Sequence, residues 1–189
     1  DLITTLLNSE IDGQKVPVEY VMGVCNLMLV AGVDTTWSSI GASLWHLAQH
    51  PEHRQQLRDD PELWPAAVEE LLRAYAPVTM ARIVDRDIDF QGCPMKAGDR
   101  VLMSFPAANR DPEQFENPNE VIFDREHNRH VAFGAGIHRC AGSNLARLEL
   151  RVALQTWLER IPEFELADPS TVTWAGGQVR GTRIAKVKF

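Results

Sequence analysis

One thiol, Cys140, closes the run Phe133-Gly134-Ala135-Gly136-Ile137-His138-Arg139-Cys140 and stands directly before a helix that opens at Ala141-Gly142. Glycine takes a positive φ without steric cost, so Gly134 and Gly136 let the backbone fold back and turn its N–H groups toward the sulfur. The positive end of a helix dipole falls at the same place, which lowers a thiol pKa and favours a soft metal. An arbitrary cysteine is most often a small buried hydrophobe. A cysteine set between two flexible turns and a helix N-terminus is placed to be a ligand.

The pattern Phe-Gly-x-Gly-x-His-x-Cys-x-Gly, filled by Phe133, Gly134, Gly136, His138, Cys140 and Gly142, resembles the haem-binding loop of the cytochrome P-450 superfamily of haem-thiolate monooxygenases. The resemblance covers nearly all of the chain. It implies a mainly α fold with small antiparallel β-sheets, the C-terminal half of the haem-thiolate cytochrome fold, with residues 1–189 forming one haem-binding region of a larger monooxygenase domain. It makes Cys140 the axial thiolate and the one metal ligand of haem b (iron protoporphyrin IX), a ligation that pushes electron density toward O–O cleavage.

Further residues acquire expected roles from the same resemblance. Ala31-Gly32-Val33-Asp34-Thr35-Thr36 places an acid and two hydroxyls within an apolar stretch, and buried carboxylates are costly without a reason. Read from the residues alone, Gly32 could end one helix and Asp34 or Thr35 cap the next. The resemblance instead makes this the oxygen-activating motif, a local helix distortion in which Gly32 gives dioxygen room, Thr35 hydrogen-bonds the oxygen and Asp34 feeds protons inward. It also places Arg82 and His138, and more weakly His130, on the haem propionates, as charge-assisted pairs. Pro77, Val78 and Thr79, together with Gly176 to Gln178, correspond to segments lining the substrate pocket.

Glu70 and Arg73 lie three apart on a helical segment, and their wheel position, away from the Val68, Leu71, Leu72 and Tyr75 stripe, reads as a solvated surface pair. The resemblance reads them as the Glu-x-x-Arg motif, locked to Arg125 of an irregular segment that wraps the proximal side of the haem, with a structural role.

The periodicity supports the helical class. Pro17 followed by an apolar-rich stretch to His50 predicts one helix about 50 Å long, apolar nearly all round and hence threading the core. Helices are also expected over Pro51–Arg58, Pro65–Tyr75 and Gly142–Ile161, the last with Leu145, Leu148 and Val152 on one face and Leu154, Trp157, Leu158 and Ile161 on another. Period-two alternation over Ala81–Phe105 predicts a small antiparallel sheet, Ala107–Asn128 a long irregular segment, and Gly176-Gly177 the turn of a last hairpin.

With 189 residues, a net charge of −7, 44% hydrophobic and 24% charged residues, the chain has the composition of a globular protein and lacks the basic stripe of a nucleic-acid surface. Three cysteines without a Cys-x-x-Cys pair fit a reducing cytosol, so a cytoplasmic location and no disulfides are expected. The apolar run Val21–Val33 stops after 13 residues at Asp34, short of the roughly 20 that cross a bilayer. It therefore reads as a buried helix, and no membrane partner is expected. Arg129, Arg139, Arg147 and Arg151 gather near the cysteine loop and read either as scattered side chains solvating a helix or as a locally positive face, which the resemblance makes the docking side of a ferredoxin or flavoprotein reductase. The substrate is expected to be a small or medium organic molecule.

Rival readings are a peroxide-using or isomerising haem-thiolate enzyme, which would not need Asp34 and Thr35, and a structural zinc site from His127, His130, His138 and Cys140. A third reading concerns the chain itself: an inactive, partner-dependent fragment that exposes apolar surface and self-associates or pairs with a complementary upstream chain.

Overall fold

The computed structural model describes all residues 1–189, which gather into two compact units, Asp1–Thr35 and Thr36–Phe189. The elements run α1 (Leu2–Leu7), β1 (Glu10–Ile11), β2 (Gln14–Lys15), α2 (Val18–Gln49), α3 (Pro51–Asp59), α4 (Trp64–Ala74), β3 (Thr79–Ile83), β4 (Ile88–Phe90), β5 (Cys93–Met95), β6 (Arg100–Ser104), α5 (Phe105–Ala108), α6 (Ser143–Arg160), β7 (Glu165–Leu166), β8 (Thr173–Ala175), β9 (Gly181–Ile184) and β10 (Val187–Lys188). The strands form five separate two-stranded antiparallel pairs.

The first unit holds α1, the β1–β2 hairpin and the first half of α2. Helix α2 starts where Pro17, which has no N–H to leave unsatisfied, offers its carbonyl to the N–H groups of Tyr20 and Val21. Its 32 residues continue without a break through Gly32, Asp34 and Thr35, so no helix ends at Gly32 and none is capped at Asp34 or Thr35. Burial departs from the expectation of a core helix. Of Asp1–Thr35 only Val16 and Val21 are buried, and Met22, Leu27, Met28, Leu29, Val30 and Val33 are exposed. A six-residue helix and a hairpin of two residues per strand are too little protein to cover such a surface. By length and mean hydropathy (1.3 over an 18-residue stretch) α2 would also suffice to cross a bilayer; the 13-residue apolar run understates it because the helix continues through weakly polar residues.

The second unit has the core. Leu47 and Ala48 of α2, Leu57 of α3, Trp64, Ala67, Val68, Leu71 and Leu72 of α4, and Leu150, Leu154 and Leu158 of α6 are buried together with Phe123, Phe164 and Leu166. The expected α4 stripe is thus the inner face of that helix. On α6 the outcome divides: the Leu154–Leu158 face is buried, while Leu145, Leu148 and Val152 are exposed. Helix α3 begins with Pro51 in its first turn, a position that tolerates the missing N–H.

The region expected as one sheet forms two. Strands β3 and β6 pair from Thr79–Ser104 to Ile83–Arg100, and β4 and β5 make a separate hairpin. Phe105 is not a strand residue, because Ser104 caps a short helix there, its hydroxyl accepting the N–H of Ala107 at 3.4 Å. Strand β9 lies very close to α2: a Cβ at Gly181 would come within 2.9 Å of the Ser38 Cα, and a Cβ at Gly41 within 2.5 Å of the Thr182 Oγ1. Both glycines are therefore accounted for by close approach of a strand to a helix.

Buried titratable groups give this unit a marked acid sensitivity. His46 is buried, and desolvation together with the charges of His50 and His53 lowers its pKa from 6.5 to about 3. Burial raises the pKa of Glu69, but hydrogen bonds from His130 and Arg147 outweigh it and hold the carboxyl at about 2. Both folded values lie below the unfolded ones, so both contributions are present above the unfolded pKa and lost as pH falls. Going from pH 7 to pH 4.5 passes the window opened by His46 and should cost about 2–3 kcal/mol. Urea unfolding at the two pH values checks this; an unchanged midpoint would show that His46 is not held neutral.

Candidate functional site

The cysteine loop has the backbone that its glycines foretell. Gly134 and Gly136 sit at φ +70° and +69°, in the left-handed region closed to most L-residues. At Gly134 a Cβ would also meet the Phe105 ring at 3.6 Å. The Gly134 N–H donates to the Val131 carbonyl (2.8 Å), the Cys140 N–H to the Phe133 carbonyl (2.9 Å) and the Arg139 N–H to the Gly136 carbonyl (3.1 Å). These bonds close the loop on itself, so no backbone N–H donates to the Cys140 Sγ, contrary to the sequence expectation. Cys140 is a free, exposed cysteine two residues before Gly142, the N-cap of α6. Ile137, in the single 3₁₀ turn Gly136–His138, is 97% exposed.

The exposed thiol of Cys140, just before the helix start, is open to a metal, and the nearly fully exposed Ile137 leaves apolar surface on the same loop. Gly142 leaves the sulfur uncrowded, since a Cβ there would lie 3.9 Å from the Cys140 Sγ. Arg147 pairs with Glu69 (2.5 and 2.8 Å) and lies over the Phe133 ring at 4.5 Å, which fixes the loop to α4 and α6. Its pKa is raised chiefly by the hydrogen bond to Glu69, with a smaller contribution from the Cys140 charge.

Beneath this loop, Glu70 and Arg73 form a fully buried ion pair with two parallel bonds of 2.8 Å. Arg125 donates to both Glu70 oxygens (3.2 and 3.1 Å), Asn128 to Oε2 (3.0 Å) and the Ile122 N–H to Oε1 (2.9 Å). Arg73 also donates to the carbonyls of Asn109, Pro118 and Glu120. The surface-pair reading is therefore overturned: the irregular segment 107–128 folds back over this face of α4, and the partners that satisfy the pair lie about forty to sixty residues away. Arg125 is the third member, as the resemblance implied.

Arg82 is exposed on β3, its guanidinium donating to the neighbouring Ala81 carbonyl (2.9 Å) without a carboxylate partner, and His138 is exposed on the loop. Both remain available to an anionic group. His130 is not: it bonds Glu69 at 3.0 Å. The zinc reading fails on geometry, because no three of His127, His130, His138 and Cys140 bring ligand atoms together; the one cluster that does is His46, His50 and His53. That cluster, spaced i, i+4, i+7 across Pro51, is no part of the sequence expectation. Of the four arginines expected to form a positive face, Arg129, Arg139 and Arg151 are exposed and Arg147 is neutralised by Glu69. The two segments expected at a substrate pocket do lie side by side: Val78 bridges Val179, the Thr79 N–H donates to Gln178 (2.9 Å) and the Arg180 N–H to Pro77 (2.6 Å).

In the first unit, the Thr35 hydroxyl donates to the Ala31 carbonyl one turn back (2.7 Å), and Asp34 and Thr35 are half-buried. Helical type does not change there, so the expected distortion is absent from the backbone pattern. Gly32 differs from Gly41 and Gly181, because a Cβ on it would meet nothing within 4 Å and its φ is an ordinary helical one. Neither packing nor backbone conformation within this chain calls for glycine at 32.

Comparison with known proteins gives the family. The family model described as Cytochrome P450 matches residues 1–173. The chain is 41% identical over 181 residues to the probable cytochrome P450 127A1 of Sinorhizobium fredii, covering 96% of this chain and 44% of that protein. It is 40% identical over 177 residues to the polyketide biosynthesis cytochrome P450 PksS of Bacillus subtilis, covering 92% and 44%. The solved structure of PksS superposes with a TM-score of 0.93 at 39% identity, over 99% of this chain and 49% of that one. The LnmA cytochrome P450 hydroxylase of Streptomyces atroolivaceus gives 0.88 at 38% identity, over 100% and 50%. The chain belongs to the cytochrome P450 family, whose members are haem-thiolate proteins. It spans a little under half the length of the curated relatives it matches.

Proposed function

We propose that residues 1–189 act as the haem-binding region of a cytoplasmic haem-thiolate monooxygenase, in which the Cys140 thiolate would hold the iron of haem b. The observation that carries this is the exposed, unpaired Cys140 at the end of a loop turned by two positive-φ glycines, just before α6. When bound, the haem supplies the iron at which dioxygen is reduced with two electrons and two protons, one oxygen atom entering an organic substrate and the other leaving as water.

The chain's own residues do the rest. Phe133, Gly134, Gly136 and Gly142 would shape the cradle, and Arg82 and His138 would hold the propionates through charge-assisted bonds. Glu70, Arg73 and Arg125 fix the segment beneath the loop. Gly32 would leave room on α2, the Thr35 hydroxyl would turn from the Ala31 carbonyl it now bonds to donate toward the oxygen site, and Asp34 would relay protons to it from solvent. That Gly32 answers to no packing need of its own supports this reading. Pro77–Thr79 and Gly176–Gln178 line the substrate pocket, and a ferredoxin or flavoprotein delivers electrons at the Arg129, Arg139 and Arg151 face. Relatives named for polyketide, biotin and steroid chemistry span too wide a range to assign a substrate beyond a small or medium organic molecule.

Asp34 and Thr35 favour dioxygen over peroxide-using or isomerising chemistry, neither of which consumes protons in this way. The Thr35→Ala variant of the complete enzyme should keep oxygen consumption and lose most product formation, by roughly 10²-fold or more relative to oxygen consumed. Oxygen uptake and product measured together check this; unchanged coupling would remove the role assigned to Thr35.

A further inference from the structure

We propose that His46, His50 and His53 form a binding site for one zinc ion at the corner between α2 and α3. One ligand nitrogen from each of the three comes within 4.8 Å of the others. His46 is in the last turn of α2, His50 precedes α3 and His53 lies in its first turn, so a bound ion would tie the two helices across the Pro51 break.

The surroundings already fix which nitrogens face inward. The His46 Nδ1 lies 2.8 Å from the Tyr75 hydroxyl and the His50 Nδ1 lies 2.8 Å from Glu52 Oε1. Each of these two rings thus has Nδ1 engaged by an outer partner, which makes Nε2 the nitrogen to offer a metal, the arrangement by which outer partners orient ligating histidines. Burial raises the Tyr75 pKa, so its hydroxyl keeps its proton and can donate to a bare His46 Nδ1 or turn to accept from an Nδ1–H. The third ligand is the His53 Nδ1, now 2.8 Å from the His46 Nε2. Two imidazole nitrogens at that distance share one proton. On zinc binding this proton leaves the pair for the His46 Nδ1, the Tyr75 hydroxyl turns to accept it, and the ion occupies its place.

The donor set is all imidazole, which suits zinc better than the hard cations. His46 and His53 both have lowered pKa values, hence the neutral rings a metal requires. The charged and titratable groups around the cluster are Glu52, Tyr75 and, at longer range, Glu70. The rings are now nearly parallel, with interplanar angles of 24° to 29°. Tetrahedral zinc with bonds of about 2.0–2.1 Å needs ligand nitrogens about 3.3 Å apart. Closing on an ion therefore requires His50 and His53, both half-buried, to pivot while the buried His46 stays fixed by Tyr75.

The test is zinc titration of the 189-residue chain against a chromophoric chelator, with Cys25, Cys93 and Cys140 first blocked by iodoacetamide. The wild type should bind one zinc per chain and gain thermal stability with zinc. His50→Gln with His53→Gln, which leaves the buried His46 in place, should weaken binding roughly 100-fold, and Glu52→Gln alone about 10-fold. No zinc bound by the wild type, or equal binding by wild type and double variant, would overturn the proposal.

Discussion

Replacing Glu70 by alanine is expected to destabilise the protein by about 3–5 kcal/mol, the cost of breaking a buried ion pair from one side. The substitution leaves Arg73 fully buried and Arg125 nearly so without their shared carboxylate, and strips the Ile122 N–H and the Asn128 side chain of an acceptor. Against a total stability of 5–15 kcal/mol typical of globular domains, that is a large share. Urea unfolding checks it. A loss below about 0.5 kcal/mol, the range of ordinary surface substitutions, would mean that the pair is solvated after all. Limited proteolysis gives a second reading, since the segment 107–128 held by these bonds should become the first site of cleavage.

Replacing Cys140 by serine is expected to do the reverse. The side chain is exposed and makes no hydrogen bond through its sulfur, so stability should change by no more than about 0.5 kcal/mol. Thiolate ligation should vanish, and with it monooxygenase turnover in the complete enzyme. The contrast between the two variants separates what holds the loop from what the loop presents. A Cys140→Ser enzyme that kept its turnover would place the chemistry elsewhere.

Local chemistry made the cysteine loop legible, because two glycines in a short span before a helix leave few backbone solutions, and Gly134 and Gly136 adopt the one expected. Glu70 and Arg73 were misplaced by the helical wheel for a nonlocal reason. A wheel knows only the helix, and the partners come from the irregular segment 107–128, which carries no periodicity. The first half of α2 failed differently: its apolar surface demands cover, but among these residues nothing supplies it. The end of the Ala81–Phe105 sheet was lost to a capping serine, whose short-range bond with Ala107 outcompeted strand pattern. His46, His50 and His53 are not legible as a group in the sequence because Pro51 divides their helical spacing between two elements, and only the folded corner brings them together.

The central claim is a bond from the Cys140 sulfur to a haem iron. Reconstituting the chain with haem, reducing it and recording the carbon monoxide difference spectrum tests that bond directly. A strongly red-shifted Soret band is the expected result; a band at the position given by a nitrogen-ligated haem, or no retained haem at all, would contradict the assignment.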